Sequence, residues 1–440
     1  MLYSPPPPST LRRAIRQLNL YGDPSVGGTA HVPPGWSNWQ GLVGNSRYYD
    51  YTLSNNGVAE KHGSDYASDY FPDVILNKTL SFLDANLGQA PVFAVLSTPS
   101  CHGPQTAAPQ HQDDFPGARS PRTPTFNATV PDTHWLQAVK GVYLFDDNAA
   151  SFSDLVFRRR VQTLQTVDEM LVAVIDALTA KGQLENTYIV YTADNGYHAG
   201  AFGIVYDKRN PWETDTHLPL LIRGPGIVPG SATAAPVSMT DLSATFLDMA
   251  GVPVPPYFDG VSVLPLAKPA PPAPHIATYI QYVGEGGGGG ARPICARTAN
   301  DNAIMCNNAG NYSEPPYFFG DDFCLCQDAV NNTYTCIRVV EGVDALQERA
   351  TMLDVDGVKS LAAAGAADYR YCEFNGADKV VEFFDYTLDP YELSNAAATM
   401  DPALKAALHE RLVALGSCVG SAQCAPLLTT PIGARSTSSQ

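Results

Sequence analysis

Basic residues are scarce in this chain of 440 residues. Its 27 lysines and arginines stand against 44 aspartates and glutamates, which gives a formal net charge of −17. A protein that binds nucleic acid needs a basic face to displace counterions from phosphates. The charge balance therefore argues against a nucleic-acid partner.

Long apolar runs are also missing. No stretch of about 18 consecutive apolar residues occurs, so we expect no membrane-spanning helix. The opening sequence MLYSPPPPSTLRRAIRQ lacks the apolar segment of a signal peptide.

The nine cysteines point to an oxidising compartment. They include no Cys-x-x-Cys pair, which favours disulfides over a zinc site, and the sequence leaves all 105 pairings of eight cysteines open. Cys101 stands apart from the other eight, which fall at positions 295, 306, 324, 326, 336, 372, 418 and 424. Four glycosylation sequons, at Asn77, Asn127, Asn311 and Asn331, agree with a secretory route. A secreted chain without an export signal predicts that its N-terminal portion has been lost.

Periodicity predicts an α/β fold. Apolar residues at helical spacing predict a helix from Val161 to Leu178, ended by Gly182. Further helices are predicted to begin at Asp241 and Asp401. Apolar runs predict strands at 92–96, 188–192, 218–222 and 380–386. The alternation of strands and helices indicates a mainly parallel sheet flanked by helices.

Composition divides the chain into five predicted segments. A Pro/Ala-rich stretch is predicted to link a larger domain to a smaller, Cys-rich C-terminal α+β subdomain. The segments are an irregular N-terminus at 1–20, the domain at 21–265, the linker at 266–275, the subdomain at 276–425 and a disordered tail at 426–440.

Polar residues cluster where the predicted strands end, the edge at which open α/β sheets bind ligands. Asp194 and Asn195 offer hard oxygen donors that suit Ca²⁺, although Asp-Asn-Gly is also a common turn sequence. A second group of residues near these strand ends is cationic. Each of them alone is typical of a surface or loop position, but together they predict a pocket for a small anion. They are His102, His198, Lys208 and Arg209.

The segment YTADNGYHAGAFGIVYDKRNPWETDTHLPLLIRGPGI resembles the sulfatase family, and within it the sulfatases of N-acetylglucosamine 6-sulfate. The passages GDPSVGGTAHVPPGW, STPSCHGPQTAAPQ and YTLDPYELSN extend the resemblance from about Tyr21 to about Cys424. Algal-type arylsulfatases share much of this pattern. The resemblance implies an alkaline-phosphatase-like α/β fold, hydrolysis of a sulfated carbohydrate, a Ca²⁺ ion and a formylglycine nucleophile.

The resemblance also implies roles for individual residues. Asp194 and Asn195 match two Ca²⁺ ligands, Lys208 matches the lysine that binds sulfate, and His102 matches the histidine at the sulfate or its leaving oxygen. His198 and Arg209 are predicted to contact the substrate.

Three departures from the family's pattern bear on activity. The Cys-x-Pro-Ser-Arg motif that yields formylglycine is absent, the N-terminal Asp-Asp metal pair is absent, and Arg16 stands at a lysine position. We therefore expect a sulfatase whose N-terminal part is missing and which is inactive as given. The alternatives are a non-catalytic relative that binds sulfated glycans and a phosphoester hydrolase on the same fold. The sequence does not indicate the oligomeric state.

Overall fold

The structure is a computed structural model of the chain. It describes residues 21–134, 145, 147–205, 207–267, 275–284, 332–341, 367–375 and 379–432. The described residues form two compact units. Residues 21–119 and 154–184 form the first unit, and the remaining described residues form the second. None of the helices in these ranges combines the length and apolar character needed to cross a bilayer.

The first unit contains a three-stranded antiparallel meander. Its strands are β1 (Gln40–Leu42), β2 (Thr52–Asn55) and β3 (Val58–Lys61). The turn between β2 and β3 is Asn56-Gly57, with φ angles of 49° and 90°. An Asn-Gly pair with positive φ at both positions fits the twist of a tight hairpin, which explains this local pairing.

Helices complete the first unit. The short helix α1 (Tyr66–Asp69) leads into α2 (Phe71–Asn86), and α3 (Asp147–Ala180), the longest helix of the described ranges, contributes its residues from Asp154 onward to this unit. The helix predicted from periodicity is thus confirmed, although it begins earlier than its apolar pattern. Gly182 follows with φ of 64°, the left-handed conformation that a helix-ending glycine adopts.

The buried strand predicted at 92–96 is wrong. These residues form no strand, and the side chains of Phe93 and Val95 are 57% and 56% exposed. A strand must satisfy its backbone groups by pairing with a neighbour. No strand in the described ranges pairs with this run, so its apolar character alone does not bury it.

The second unit contains the pair β4 (Ile189–Thr192) and β5 (Leu220–Arg223). Both strands are predicted from the sequence, but they run antiparallel, with Val190 opposite Ile222. Every strand pairing in the described ranges is antiparallel, so the expected mainly parallel sheet is not found there. A parallel pair needs a crossover connection, usually helical. Here the connecting segment instead folds back at the end of β4.

Helix α5 (Met239–Met249) follows β5, and its N-terminus differs from the prediction. Ser238 is the N-cap, and Asp241 is the third helical residue, whose side chain accepts a hydrogen bond from the Ser238 amide. The two residues form a reciprocal capping box. Asp241 therefore stabilises the helix start without being its cap.

The C-terminal part of the second unit is a four-stranded antiparallel sheet in sequential order. Its strands are β6 (Ala277–Tyr282), β7 (Tyr334–Glu341), β8 (Ala367–Phe374) and β9 (Val381–Asp385). Helices α6 (Pro402–Ser417) and α7 (Ser421–Thr429) follow it. Asp401 caps α6 as predicted.

Alternation divides the side chains of this sheet between two faces. Odd-numbered residues such as Ile337 and Tyr371 pack in one core with Leu408 and Leu412 of α6. Even-numbered residues of β7, β8 and β9 occupy the opposite face, which carries the buried charges. The fold thus separates an apolar helix-covered face from a polar one.

Two disulfides confirm the expected framework in part. Cys336 bonds to Cys372, its direct cross-strand neighbour, and Cys418 bonds to Cys424. Cys101 is a free thiol. The other four cysteines, at 295, 306, 324 and 326, lie outside the described residues.

The predicted segment boundaries can be compared with the structure at the linker and at the C-terminal tail. The second unit continues on both sides of the linker, whose residues 268–274 lie outside the described ranges. The predicted disordered tail is wrong for its first residues, because α7 extends to Thr429 and Leu428 and Ile432 are buried. The predicted segment 1–20 lies outside the described residues.

Candidate active site

The segment after β4 forms a tight polar turn. The Asp194 carboxylate accepts a hydrogen bond from the Asn195 amide at 2.9 Å, and the side-chain amide of Asn195 donates to the Gly196 carbonyl at 2.7 Å. Asp194 is exposed. The predicted turn and the predicted pair of oxygen donors are therefore one structure, because both side chains lie at the strand end.

Gly196 is required by close packing. A Cβ at this position would lie 1.9 Å from the carbonyl oxygen of Thr214. The Gly196 amide donates to the Asp215 carbonyl at 2.8 Å. Thr214 and Asp215 belong to the short helix α4 (Glu213–Thr216). The glycine thus brings the polar turn against the segment that follows the cationic loop.

His198 forms a buried pair with Asp215. Its imidazole Nε2 lies 2.9 Å from the Asp215 carboxylate, and both side chains are almost wholly buried. Asn210 bridges the pair, since its side-chain amide lies 3.1 Å from His198 Nε2 and its backbone amide donates to Asp215. The pair therefore fastens the two ends of the 198–215 segment together. The predicted substrate contact of His198 stays a prediction, and the buried position favours a supporting role.

The cationic loop is residues 207–210. Asp207 and Arg209 have φ angles of 90° and 98°, a left-handed conformation that non-glycine residues rarely adopt. The Arg209 guanidinium is paired with the Asp207 carboxylate. Lys208 lies between them and is half-buried, and its ammonium group has no hydrogen-bond or ion-pair partner in the described part of the chain. One cation of the loop is thus neutralised internally and the other is available.

Side chains of the C-terminal sheet hold the loop and helix α4. Arg338 of β7 donates to Glu213 at 3.0 Å, and the Glu213 amide donates to Glu392 at 3.0 Å. Burial raises the pKa of Glu213, but the charges of Arg338 and His217 outweigh it, so this pKa lies below its ordinary value. Glu213 is therefore an anion that anchors α4 to the sheet.

A second charged group lies deeper on the same face. Arg370 lies 2.9 Å from Glu392 and 3.7 Å from Glu382, and all three side chains are buried. Burial raises the pKa of Glu382 to about 7, although Arg370 opposes this shift. Burial also raises the pKa of Glu392. Two carboxylates around one guanidinium favour retention of a proton between them.

His102 belongs to the first unit. Its Nδ1 lies 3.0 Å from the Gly103 carbonyl, and Tyr48 donates to the His102 carbonyl at 3.2 Å. The ring is half-buried. His102 therefore has contacts with neighbouring backbone groups and with Tyr48, and its catalytic role stays a prediction.

The residues that could hold a metal form an incomplete set. Ca²⁺ takes six to eight oxygen ligands. Asp194 and Asn195 have the right donor chemistry, yet no group of three or more histidine, cysteine, aspartate or glutamate side chains among the described residues is arranged to hold a metal. The described residues therefore offer part of a calcium shell.

Several residues of the site are not predicted from the sequence, because their partners are distant along the chain. They are Asn210, Asp215, Asn332, Tyr334 and Arg338.

Two of the four sequons lie within the described residues, and their asparagines, Asn77 and Asn127, are exposed. Asn311 and Asn331 lie outside the described residues. Glycosylation stays a prediction.

The fold and the site define an α/β protein that presents two oxygen donors after the end of β4 and, in the loop 207–210, a lysine with no ion-pair partner among the described residues. A solved structure of a protein with its substrate D-glucosamine-2-N,6-O-disulfate shares this fold, with a TM-score of 0.62 and 20% sequence identity over 87% of this chain and 76% of the other. The sequence profile of the sulfatase family matches residues 23–252. The chain belongs to the sulfatase family.

Two curated relatives indicate its place in that family. It is 39% identical to N-acetylglucosamine-6-sulfatase of Bos taurus over 409 residues, which covers 92% of this chain and 66% of the relative. It is 43% identical over 241 residues to the extracellular sulfatase SULF-1 homolog of Drosophila melanogaster, covering 54% of this chain and 22% of that protein. The chain thus spans about two thirds of the length of the bovine relative. The predicted sulfatase family and α/β fold class are confirmed, whereas the strand pairs of the described ranges are antiparallel.

Proposed function

We propose that this chain binds the sulfate group of a saccharide of the N-acetylglucosamine 6-sulfate type, and that the whole protein hydrolyses this ester. The observation that carries the proposal is the Lys208 ammonium, which lacks an anionic partner among the described residues although the chain has a net charge of −17. A half-buried cation without a partner favours an anionic ligand. The sequence similarity to N-acetylglucosamine-6-sulfatase supports the same ligand.

Lys208 binds the oxygens of the sulfate group in this proposal. Its ammonium is a compact charge with three donors, which suits a tetrahedral anion. It also stabilises negative charge that develops on these oxygens during ester cleavage. Arg209 is held by Asp207, so it adds a second contact only when that ion pair opens.

Asp194 and Asn195 would supply two oxygen ligands to a Ca²⁺ ion. Sulfatases are generally calcium-dependent, and such an ion, when bound, supplies Lewis-acid stabilisation of the sulfate oxygens. The exposed Asp194 carboxylate is compatible with this role.

His102 would hold a proton for the leaving oxygen of the sugar. A histidine is suited to this task because its ordinary pKa of about 6.5 lies near physiological pH. The family's formylglycine nucleophile requires a Cys-x-Pro-Ser-Arg motif that this sequence lacks. We therefore expect the chain to bind sulfated saccharide without turnover, which also keeps open the alternative of a glycan-binding relative.

The compartment is proposed to be the secretory route. The disulfides Cys336–Cys372 and Cys418–Cys424 support it, because such bonds persist in oxidising compartments. The relationship to an extracellular sulfatase agrees with this proposal.

Titration calorimetry with N-acetylglucosamine 6-sulfate tests the proposal. The chain should bind this sugar, and unsulfated N-acetylglucosamine should bind at least about tenfold more weakly, because a hydrogen bond to a charged group contributes about 1.5–3 kcal/mol. The variant Lys208→Met should lose a similar factor. Lys181→Met is the matched control, because Lys181 is paired with Asp84 on the first unit.

Three results would count against parts of the proposal. Equal binding by Lys208→Met and the parent chain would remove Lys208 from the site. Tighter binding of N-acetylglucosamine 6-phosphate than of the sulfate would favour the phosphoester alternative. Turnover of a fluorogenic sulfate ester by the purified chain would exclude a purely binding role.

A further inference from the structure

The loop that carries Lys208 has a backbone shape that its own residues do not favour. Asp207 and Arg209, on either side of Lys208, both have left-handed φ angles, of 90° and 98°. Non-glycine residues adopt this region at a cost, and such conformations persist only when the surrounding structure enforces them. The loop therefore needs contacts from outside its own sequence.

One enforcing contact comes from the C-terminal sheet. The Arg209 carbonyl accepts two hydrogen bonds, from Asn332 Nδ2 at 2.8 Å and from the Tyr334 hydroxyl at 3.1 Å. Both donors are buried at the start of β7. A carbonyl oxygen has two lone pairs, so this pair of donors fully satisfies it.

The other fixed points of the loop lie within the site segment itself. The Asp207 carbonyl accepts from the His198 amide at 2.7 Å, and the Asn210 amide donates to the Asp215 carboxylate at 2.9 Å. Asp207, Arg209 and Asn210 are thus each held, and Lys208 is the residue between them. Fixing the backbone on both sides of a lysine restricts the directions that its flexible side chain can take.

We propose that Asn332 and Tyr334 are positioning residues, which set the backbone at Arg209 so that the Lys208 ammonium meets the sulfate group. The proposal rests on the sulfate-binding role of Lys208. It gives the Cys-rich C-terminal subdomain a part in recognition, because donors more than 120 residues away in sequence orient the lysine. Neither residue needs to touch the substrate.

The variants that test this role remove a donor and keep the packing. Tyr334→Phe removes only the hydroxyl, while the ring keeps its contacts with Tyr282 and Phe374. Asn332→Asp replaces the donating nitrogen with oxygen and leaves the Asn331 sequon intact. The matched control is Tyr371→Phe on β8, whose hydroxyl donates instead to Glu373 at 2.6 Å.

Two readouts separate positioning from general stability. The first is the dissociation constant for N-acetylglucosamine 6-sulfate, which should rise about three- to tenfold in Tyr334→Phe and further in the double variant with Asn332→Asp. The second is hydrogen exchange of the peptide spanning 207–210 in the ligand-free chain, which should become faster in both variants. Tyr371→Phe should change neither, and the thermal midpoint of Tyr334→Phe should stay close to that of the parent.

The results distinguish the two proposals. If the parent chain does not bind the sulfated sugar, the proposed function fails, and the exchange rates still decide whether β7 orders the loop. If the double variant shows the parent's exchange at 207–210, the positioning role is wrong. Unchanged affinity alongside faster exchange would likewise overturn it, because the loop would then be ordered for a reason unrelated to the ligand.

Discussion

Strand β9 of the C-terminal sheet and the apolar run at 92–96 are both predicted to be strands, and they have opposite outcomes. Strand β9 lies in a sheet whose two faces are covered, and its Phe384 is fully buried. The run 92–96 pairs with no strand in the described ranges, and its Phe93 is 57% exposed. The difference shows that an apolar run becomes a buried strand only where a neighbouring strand satisfies its backbone.

The sheet also differs from the run in its dependence on charge. Its even-numbered face buries Arg370 against the carboxylates of Glu382 and Glu392, and it also carries the half-buried Arg338, which pairs with Glu213. The run 92–96 contains no charged residue. Stability in the sheet should therefore respond to the loss of a charge and to pH, whereas the run should be insensitive to both.

The largest expected effect is that of Arg370→Leu. This substitution leaves Glu382 and Glu392 buried without their shared cation, and breaking a buried ion pair costs about 3–5 kcal/mol. Chemical denaturation should show this loss as a lower free energy of unfolding for the transition of the second unit. Arg223→Leu is the matched control, because Arg223 pairs with Glu185 on the surface and its loss should leave the midpoint unchanged. Equal effects of the two substitutions would mean that the buried ion pairs contribute no more to stability than the surface pair.

A smaller effect is expected from Glu382→Gln, and it depends on pH. The pKa of Glu382 is about 7 in the folded chain, above the ordinary value of 4.5. The folded state therefore binds a proton that the unfolded state releases between these values, and this contribution to stability is present below pH 4.5 and lost as pH rises through 7. In the parent chain, the free energy of unfolding should fall by an amount on the order of 1–3 kcal/mol between pH 5 and pH 7.5 because of this group. Glu382→Gln should not show this fall, because glutamine does not titrate.

Unfolding curves at several pH values check this prediction. The glutamine can still accept the hydrogen bond that the His134 amide donates to Glu382 at 3.0 Å, so the substitution changes the charge and keeps the contact. If the variant and the parent lose stability equally between pH 5 and pH 7.5, another group is responsible for the pH dependence.

The smallest effect is expected at Val95. Its side chain is 56% exposed, so Val95→Thr should change the free energy of unfolding by less than about 0.5 kcal/mol. The same exchange at Val339, which is fully buried in β7, is the comparison and should cost clearly more. A large loss at Val95 would show that the run is buried after all.

The sequence predicts those parts of the structure that depend on neighbouring residues. The strand-end position of Asp194 and Asn195 follows from the apolar run before them, and the cap at Asp401 follows from Asp-Pro at a helix start. Strand direction is not predicted, because it depends on how the 193–217 segment folds back after β4.

Contacts between distant residues also lie beyond local patterns. His198 and Asp215 pair from the two ends of the 198–215 segment, and the Arg209 carbonyl accepts hydrogen bonds from Asn332 and from Tyr334 of β7. No spacing rule links such positions. The division into two units likewise joins segments that are separate along the chain.

The most direct test of the account is a crystal structure of the chain with N-acetylglucosamine 6-sulfate. The account predicts that Lys208 Nζ lies within about 3.2 Å of a sulfate oxygen, with the Arg209 carbonyl still bound by Asn332 and Tyr334. A sulfate group bound elsewhere, with the Lys208 ammonium in contact with solvent alone, would contradict it.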